Sequence, residues 1–170
     1  LKALPVRAPH ELVLFHWAAH DESPRSLSGW NQRDPRTGET TSTSFSLRTF
    51  AQIAAADAPV RDVFAFAPVT QLNVGIDGQA EVVNSGVLVS GNYHAALGVP
   101  IAVGRGLGPE DDTAAATPAV VLSHGFWQRR FGGEAAVLGR TITINRVPFT
   151  VVGVTAPSFA GTLQIGEVQD

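Results

Sequence analysis

The apolar positions in the first part of the chain predict a strand followed by a long connection. Residues 11–17 (ELVLFHW) form a short apolar and aromatic run after Pro9, which predicts a mostly buried strand. Residues 18–43 are polar and include two prolines, and we predict a long surface loop or contact loop there. Trp30 is the large aromatic residue of this loop, and we expect it to pack locally against the core rather than bind a partner.

Two regular patterns follow this loop. The first has apolar residues at i, i+3, i+4 and i+7 and predicts an amphipathic helix, capped by Ser46 or by Thr43 and Ser44, with the apolar positions Leu47, Phe50, Ala51 and Ala54. The second is extended: residues 62–76 end in an alternating run, Asp77-Gly78 is typical of a hairpin turn, and residues 79–89 form the return strand.

The second half of the sequence alternates short helices with short strands. The predicted elements are a helical turn at 92–97 closed by Gly98, a buried strand at 119–122, a helix from Ser123 to Gly132, and a hairpin of 141–145 with 147–154. Trp127 and Phe131 form an i, i+4 apolar pair on the helix. Pro148 has no N–H to donate, so it predicts a sheet edge or a bulge.

Composition limits the function classes without selecting one. The chain has 170 residues, 44% of them hydrophobic, which suits one globular domain. Its 12 basic and 15 acidic residues form no basic stripe, which argues against a nucleic-acid partner. No apolar run approaches the roughly 20 residues of a membrane span, and no signal-peptide pattern occurs, so the chain itself is expected to be soluble. The absence of Cys leaves the compartment open.

Ser123 and His124 are the candidates for nucleophilic chemistry. The surrounding sequence, VLSHG, lacks the first glycine of a nucleophile elbow. Adjacent helix positions also point about 100° apart, which is unsuitable for a hydrogen-bonded nucleophile and base. We therefore predict that Ser123 is a helix N-cap.

Candidate metal and phosphate sites are similarly weak. His10-Glu11 lacks the second histidine of a zincin motif, and His16 and His20 would lie about 13 Å apart in a strand. Gly104, Gly106 and Gly108 are spaced as in a phosphate-binding turn, but the carboxylates of residues 110–112 follow at once and would repel a phosphate. The spaced aspartates of an EF-hand loop are absent, so we predict a solvated acidic turn formed by Glu110, Asp111 and Asp112.

Two further observations concern basic residues. Lys2 is the only lysine and no P-loop sequence occurs, so this chain does not bind and hydrolyse ATP by that route. Arg129 and Arg130 lie in the last turn of the predicted helix, where the helix dipole favours cations, and we interpret them as structural rather than ligand-binding.

An ordered set of motifs resembles the periplasmic core domain of MacB-type, FtsX-like ABC transporter permeases, in particular the acidobacterial permeases with a duplicated domain plan. The motifs lie at residues 87–93, 97–100, 104–105, 109–112, 120–123, 126–133, 138–142 and 149–154. Residues 4–9 with 12–14 are similar to the segment that leaves the first membrane helix in those permeases. The resemblance covers essentially the whole chain.

The resemblance implies an α+β fold of mixed small sheets and short helices. Residues 1–86 would form part of a porter-like βαβ subdomain containing loop 18–43, and residues 87–170 a Sabre-like small α/β subdomain. Because the sequence ends before the rest of the porter-like part, we expect an incomplete sheet edge at residues 62–76.

The resemblance also implies a role in transport. The domain would lie at the periplasmic face of the bacterial inner membrane, within a multi-pass protein, and would have no catalytic, cofactor-binding or metal-binding residues of its own. ATP would bind a separate cytoplasmic domain or subunit. The implied partners are the protein's own transmembrane helices, a second protomer or duplicated half, the ABC ATPase and a periplasmic adaptor.

Two alternatives to a non-enzymatic transport module remain open. One is a freestanding serine-type hydrolase that uses Ser123, His124 or the acidic loop. The other is a small-ligand-binding domain that uses the long loop around Trp30.

Overall fold

The computed structural model describes residues 6–19, 31–57, 59–159 and 161. The chain forms two compact units. Among the described residues, the first contains 10–63, and the second, here called the sheet unit, contains 6–9 and 64–161.

The unit of residues 10–63 contains a small antiparallel sheet. Its strands are β1 (Trp17–Ala19), β2 (Asn31–Arg33) and β3 (Thr40–Ser42), in the order β1-β3-β2. A turn closes the β2–β3 hairpin, in which the Asp34 amide donates to the Glu39 carbonyl at 2.9 Å. The Trp17 indole N–H donates to the Ser44 carbonyl at 2.8 Å. Hydrogen bonds therefore close this sheet at both ends.

Two predictions for this unit are wrong. No strand extends from 11 to 17: residues 12–16 lie outside any regular element, and Val13 is 68% exposed. The predicted loop of 18–43 contains the β2–β3 hairpin, whose strands are made of polar residues and so lack the apolar alternation that marks a strand. Trp30 and its expected packing lie outside the described residues.

The predicted helix is confirmed as α1 (Leu47–Ala55). Ser46 is its N-cap, and the Ser46 hydroxyl accepts a hydrogen bond from the Thr49 amide at 3.1 Å. None of the helix residues is buried, and Leu47, the first position of the predicted apolar face, is 83% exposed. The apolar period therefore predicts the helix correctly here, but the residues that carry it are not buried.

In its described residues, the sheet unit contains the remaining strands and α-helices, and two short 3-10 helices, Pro109–Asp112 and Ala135–Val137. The strands and α-helices are β4 (Phe66–Val69), β5 (Leu72–Ile76), β6 (Gln79–Val83), β7 (Gly86–Val89), α2 (Tyr93–Leu97), β8 (Ile101–Gly104), β9 (Ala119–Leu122), α3 (His124–Phe131), β10 (Thr141–Ile144) and β11 (Val147–Thr155). The main sheet has the order β6-β5-β10-β11-β8, with β9 parallel to β11, and β4 pairs with β7 in a separate ladder.

Both predicted hairpins are confirmed. Asp77 and Gly78 have φ angles of 52° and 79° at the β5–β6 turn, and Asn145 and Arg146 have φ angles of 50° and 71° at the β10–β11 turn. Each turn therefore has both central residues in the left-handed region.

The return strand predicted over 79–89 is interrupted at 84–85. Its second part, Gly86–Val89, pairs with β4 instead of β5.

Pro148 occupies the sheet position that its missing N–H predicts. It pairs with Thr143 of β10, whereas β9 joins β11 only from Thr150 onward. The proline therefore lies before the start of the parallel ladder, at an edge.

The core of the sheet unit packs α3 against the main sheet. Its buried apolar cluster consists of Val74, Ile76, Leu122, Phe126, Trp127, Phe131, Val137, Ile142, Val151 and Val154. The Trp127 indole N–H donates to the Glu134 carbonyl at 2.9 Å, which satisfies the polar atom of a buried ring. The predicted Trp127 and Phe131 pair is confirmed as part of this core.

The expected open edge at residues 62–76 is wrong for β5 but not for β4, which among the described residues pairs with β7 alone. Strand β5 lies between β6 and β10, and Gly75 and Val74 are paired with Thr143 and Ile144. The same pairing joins residues before and after position 86, so the predicted division at 86/87 does not coincide with the two compact units. The porter-like and Sabre-like assignments stay predictions.

The mixed α+β class, with small sheets and short helices, is confirmed. None of the helices in the described part of the chain combines the length and the apolar character needed to cross a bilayer.

Candidate functional site

The glycine-rich segment 104–112, which ends in the 3-10 helix Pro109–Asp112 and is here called the anchored loop, carries a connected set of polar contacts. Arg105 binds Asp111 through two hydrogen bonds, from Nη1 to Oδ2 at 2.7 Å and from Nη2 to Oδ1 at 3.0 Å. The Gly108 amide donates to Asp111 Oδ2 at 2.8 Å. The Arg105 hydrogen bonds, with the Gly108 amide, hold the pKa of Asp111 below its usual value, and the same pair raises the pKa of Arg105.

A second aspartate ties the anchored loop to the start of α2. The Gly91 amide donates to Asp112 Oδ2 at 2.6 Å. A Cβ atom at Gly91 would overlap the carbonyl oxygen of Gly108, so the two backbone segments approach closely enough to require glycine. The connection from β7 to α2 and the anchored loop are therefore fixed against each other.

Ser90 extends this network to the strand entrance at Ala65. Its hydroxyl accepts a hydrogen bond from the Ala65 amide at 3.0 Å and donates to Asn92 Oδ1 at 2.7 Å. The Ser90 amide donates to the Ala65 carbonyl at 2.9 Å. Ser90 is buried, and these partners satisfy its hydroxyl.

His94, on α2, faces the middle of the anchored loop. Its side chain is buried, and its ring meets the Tyr93 ring edge-on at 5.2 Å between centroids. The Leu107 amide donates to His94 Nδ1 at 3.4 Å, which assigns Nδ1 as the unprotonated nitrogen. Burial lowers the pKa of His94.

The predicted solvated acidic turn is confirmed for Glu110 and Asp112, which are exposed, but not for Asp111. The Asp111 carboxylate, 12% exposed, binds Arg105 and a backbone amide, and Asp112 binds a second amide, while Glu110 remains 67% exposed. The Gly108 amide, which a phosphate-binding turn would direct to its ligand, donates to Asp111. Sequence periodicity gives no signal for the Arg105–Asp111 and Gly91–Asp112 contacts, because their partners lie six and 21 positions apart.

Ser123 performs the structural role predicted for it. Its Oγ accepts a hydrogen bond from the Phe126 amide at 3.3 Å and caps α3. The neighbouring His124 ring packs edge-on against Trp127, with 5.4 Å between centroids. The structure thus directs Ser123 to the helix backbone and His124 to an aromatic ring.

The histidines near the start of the chain are not drawn together into a site. His10 lies 3.8 Å from the Glu11 carboxylate, and both side chains are largely exposed. His16 is exposed and His20 lies outside the described residues. Within the described ranges, no group of three or more His, Cys, Asp and Glu residues could hold a metal ion.

The arginines at the end of α3 contact specific partners. Arg130 Nε lies 2.9 Å from Glu81 Oε1 on β6, and both atoms are buried. The Arg129 guanidinium lies over the Phe126 ring at 5.4 Å. Arg140 lies over Phe131 at 5.3 Å and also binds Asp77. The Arg130–Glu81 and Arg140–Asp77 contacts join the β5–β6 hairpin to the helix and its following segment, and the sequence did not indicate them.

Comparison with known proteins gives a family and a fold. The chain matches the family model of the MacB-like periplasmic core domain over residues 18–168. It is similar to the periplasmic region of MacB from Actinobacillus actinomycetemcomitans, with a TM-score of 0.55, 19% identity, and coverage of 68% of this chain and 53% of that chain.

It is also similar to the extracellular domain of the noncanonic ABC-type transporter YknZ from Gram-positive bacteria. The TM-score is 0.55 at 18% identity, with coverage of 66% of this chain and 57% of that chain. The matched part thus corresponds to little more than half the length of each of these structures. No curated protein matches the chain.

Proposed function

Since the chain belongs to the family of MacB-like periplasmic core domains, we propose that it is the extracytoplasmic domain of an ABC-type export permease. The family match over residues 18–168 carries this proposal. The domain lies at the periplasmic face of the inner membrane as one part of a multi-pass protein.

Its proposed action is mechanical. The main sheet, the α3 core and the two ion pairs from α3 and its following segment to the β5–β6 hairpin make the sheet unit a cross-linked body. Such a body transmits a displacement of attached membrane helices without absorbing it by local deformation. We propose that this movement acts on a transported substrate or on a periplasmic adaptor.

The proposal also specifies the energy source of transport and the partners of the domain. ATP is bound and hydrolysed by a cytoplasmic ABC ATPase, on a separate domain or subunit, and this domain holds no cofactor. The other partners are the protein's own transmembrane helices and a second protomer or duplicated half. The net charge of −3, without a basic stripe, supports the assignment of no nucleic-acid partner.

The location is tested by single-cysteine labelling, because the chain contains no Cys. In the full-length permease, with other cysteines replaced by serine, Leu88→Cys places a thiol at a position that is 65% exposed. A membrane-impermeant maleimide should label it in intact spheroplasts. The matched control, Val154→Cys at a position with 0% exposure, should react only after denaturation. Labelling of Leu88→Cys that requires disruption of the membrane would contradict the proposed location.

The non-enzymatic part of the proposal has its own test. The chain is assayed against a panel of ester and peptide substrates, alongside Ser123→Ala. We expect no turnover by either protein, since the Ser123 hydroxyl caps α3. Turnover by the original chain that disappears in Ser123→Ala would establish the hydrolase alternative.

A further inference from the structure

Two consecutive amides in the middle of the anchored loop donate to different side chains. The Leu107 amide donates to His94 Nδ1 at 3.4 Å, and the Gly108 amide donates to Asp111 Oδ2 at 2.8 Å. The backbone also passes close to the histidine, because a Cβ atom at Gly106 would lie 2.9 Å from His94 Cβ. The position of the loop thus depends on an imidazole of α2 and on a carboxylate of its own.

The contact from Leu107 requires a neutral imidazole. A protonated imidazole carries N–H donors on both nitrogens and has no acceptor. Protonation of His94 would therefore set one N–H against another, with 3.4 Å between the two nitrogens, and it would place a charge on a residue that is 8% exposed. We propose that His94 is a pH-sensitive latch, which holds the Leu107 amide of the anchored loop when neutral and releases that amide when protonated.

The surrounding charged groups do not offset such a charge through an ion pair. Arg105, Glu110, Asp111 and Asp112 come from the anchored loop, and Arg7 of the preceding segment lies against Gly98 at the end of α2. Tyr93 is the titratable neighbour on α2 itself. Asp111 is engaged with Arg105 and Asp112 with the Gly91 amide, and none of the ion pairs between described residues includes His94.

The direction of the effect follows from the pKa of each group. Burial lowers the pKa of His94 in the fold, so below its usual pKa of about 6.5 the open or unfolded chain binds the proton more readily. The latch is therefore complete above about pH 6.5 and weakens as pH falls below it. The pKa of Asp111 is also lowered, so its contacts weaken only below about pH 4. Between about pH 4 and about pH 6.5, a change in the loop contacts therefore reports protonation of His94 rather than of Asp111.

Amide hydrogen exchange followed by NMR tests this proposal on the 170-residue chain. Protection factors for the Leu107 and Gly108 amides are measured from about pH 7.5 to about pH 5, corrected for the intrinsic pH dependence of exchange. We expect protection of Leu107 to fall about tenfold as His94 is protonated. The titration of the His94 ring, recorded on the same samples, should have the same midpoint.

Two variants separate the latch from a general effect of acid. His94→Gln should have protection at Leu107 that no longer changes over this interval. His124→Gln alters a half-buried histidine of α3 and should retain the full change. The proposal fails if protection at Leu107 is constant in the original chain, if its midpoint differs from that of His94, or if the change persists in His94→Gln. The comparison of midpoints needs no variant, so poor folding of His94→Gln would leave the test in place.

Discussion

The two compact units differ in what occupies their interiors. The sheet unit contains ten buried apolar side chains packed together between α3 and the main sheet. In the unit of residues 10–63, the buried residues among those described are Thr40 and Ser42, both on β3. The sheet unit is stabilised mainly by apolar burial. The unit of residues 10–63 relies on strand hydrogen bonds, a helix cap and the Trp17–Ser44 hydrogen bond.

This difference determines how much an apolar side chain contributes to the free energy of folding. Among the described residues, the buried apolar ones all lie in the sheet unit, where truncating one of them removes packing. In the unit of residues 10–63, apolar residues such as Val13, Leu14 and Leu47 are exposed, and their side chains contribute little to the free energy of folding. The same substitution should therefore have different costs in the two units.

The largest contrast is expected between Leu97→Ala and Leu47→Ala. Leu97 has 0% exposure, so its truncation should lower the free energy of unfolding by about 2–5 kcal/mol. Leu47 is 83% exposed, and the same change there should cost less than about 0.5 kcal/mol. Urea unfolding curves measure both values. Equal costs would show that the two units do not differ in packing as described.

The next effect concerns the polar network of the sheet unit. Asp111→Asn removes the charge that binds Arg105 and the Gly108 amide, and should lower the free energy of unfolding by about 1–3 kcal/mol. The control is Glu110→Gln, at a carboxylate that is 67% exposed and 3.6 Å from Arg105, where we expect less than about 0.5 kcal/mol.

The pH dependence of the Asp111 effect follows from its lowered pKa. The stabilising contribution should be complete above about pH 4 and should decrease as pH falls through the folded-state pKa. The difference between Asp111→Asn and the original chain should therefore narrow in acid. A difference that grows in acid would mean that the ionised carboxylate is not the stabilising form.

A smaller contrast is expected between the two confirmed N-caps. Ser123→Ala should lower the free energy of unfolding by about 0.5–2 kcal/mol, because α3 contributes Phe126, Trp127 and Phe131 to the core. Ser46→Ala should instead increase amide exchange in the first turn of α1 with little change in global unfolding, since no residue of that helix is buried. A global loss of similar size in Ser46→Ala would argue against this distinction.

The smallest effects are expected at the ion pairs of the β5–β6 hairpin. Asp77→Asn removes the pair between Arg140 and a carboxylate that is 72% exposed, and should cost less than about 1 kcal/mol. Asn also tolerates the positive φ of 52° at this turn. Glu81→Gln acts on the better-buried pair with Arg130 and should cost more in thermal unfolding. The reverse order would show that burial does not set the strength of these pairs.

The sequence-based predictions succeeded in both units where a local period, a cap or a characteristic turn was present, as at α1. Strand 119–122, the Ser123 cap, α3 and both hairpins were predicted because burial in the sheet unit imposes a clear period and the turns have characteristic residues. The strand at 11–17 was wrong because its apolar residues are not buried in a sheet. The polar strands β2 and β3 were missed because neither has the alternation of a half-buried strand.

The candidate site shows the limit of reasoning from local sequence. Ser123 was predictable because a cap depends on residues three positions apart. The contact of Gly91 with Asp112 and that of Leu107 with His94 join different loops and α2, so they depend on tertiary folding. The contact of Asp111 with the Gly108 amide is instead local, because Asp111 lies three positions after the N-cap of the 3-10 helix Pro109–Asp112.

The proposed mechanical role is tested most directly by a distance measurement across the ATPase cycle. Leu88→Cys in the full-length permease is spin-labelled, and the distance between the labels of two protomers is measured by pulsed electron resonance with ADP and with trapped ATP. We predict that the distance distribution shifts with nucleotide, and that the shift is lost in an ATPase-deficient permease that no longer binds ATP. Identical distributions in both nucleotide states, in a permease that still exports its substrate, would contradict the proposed role of this domain.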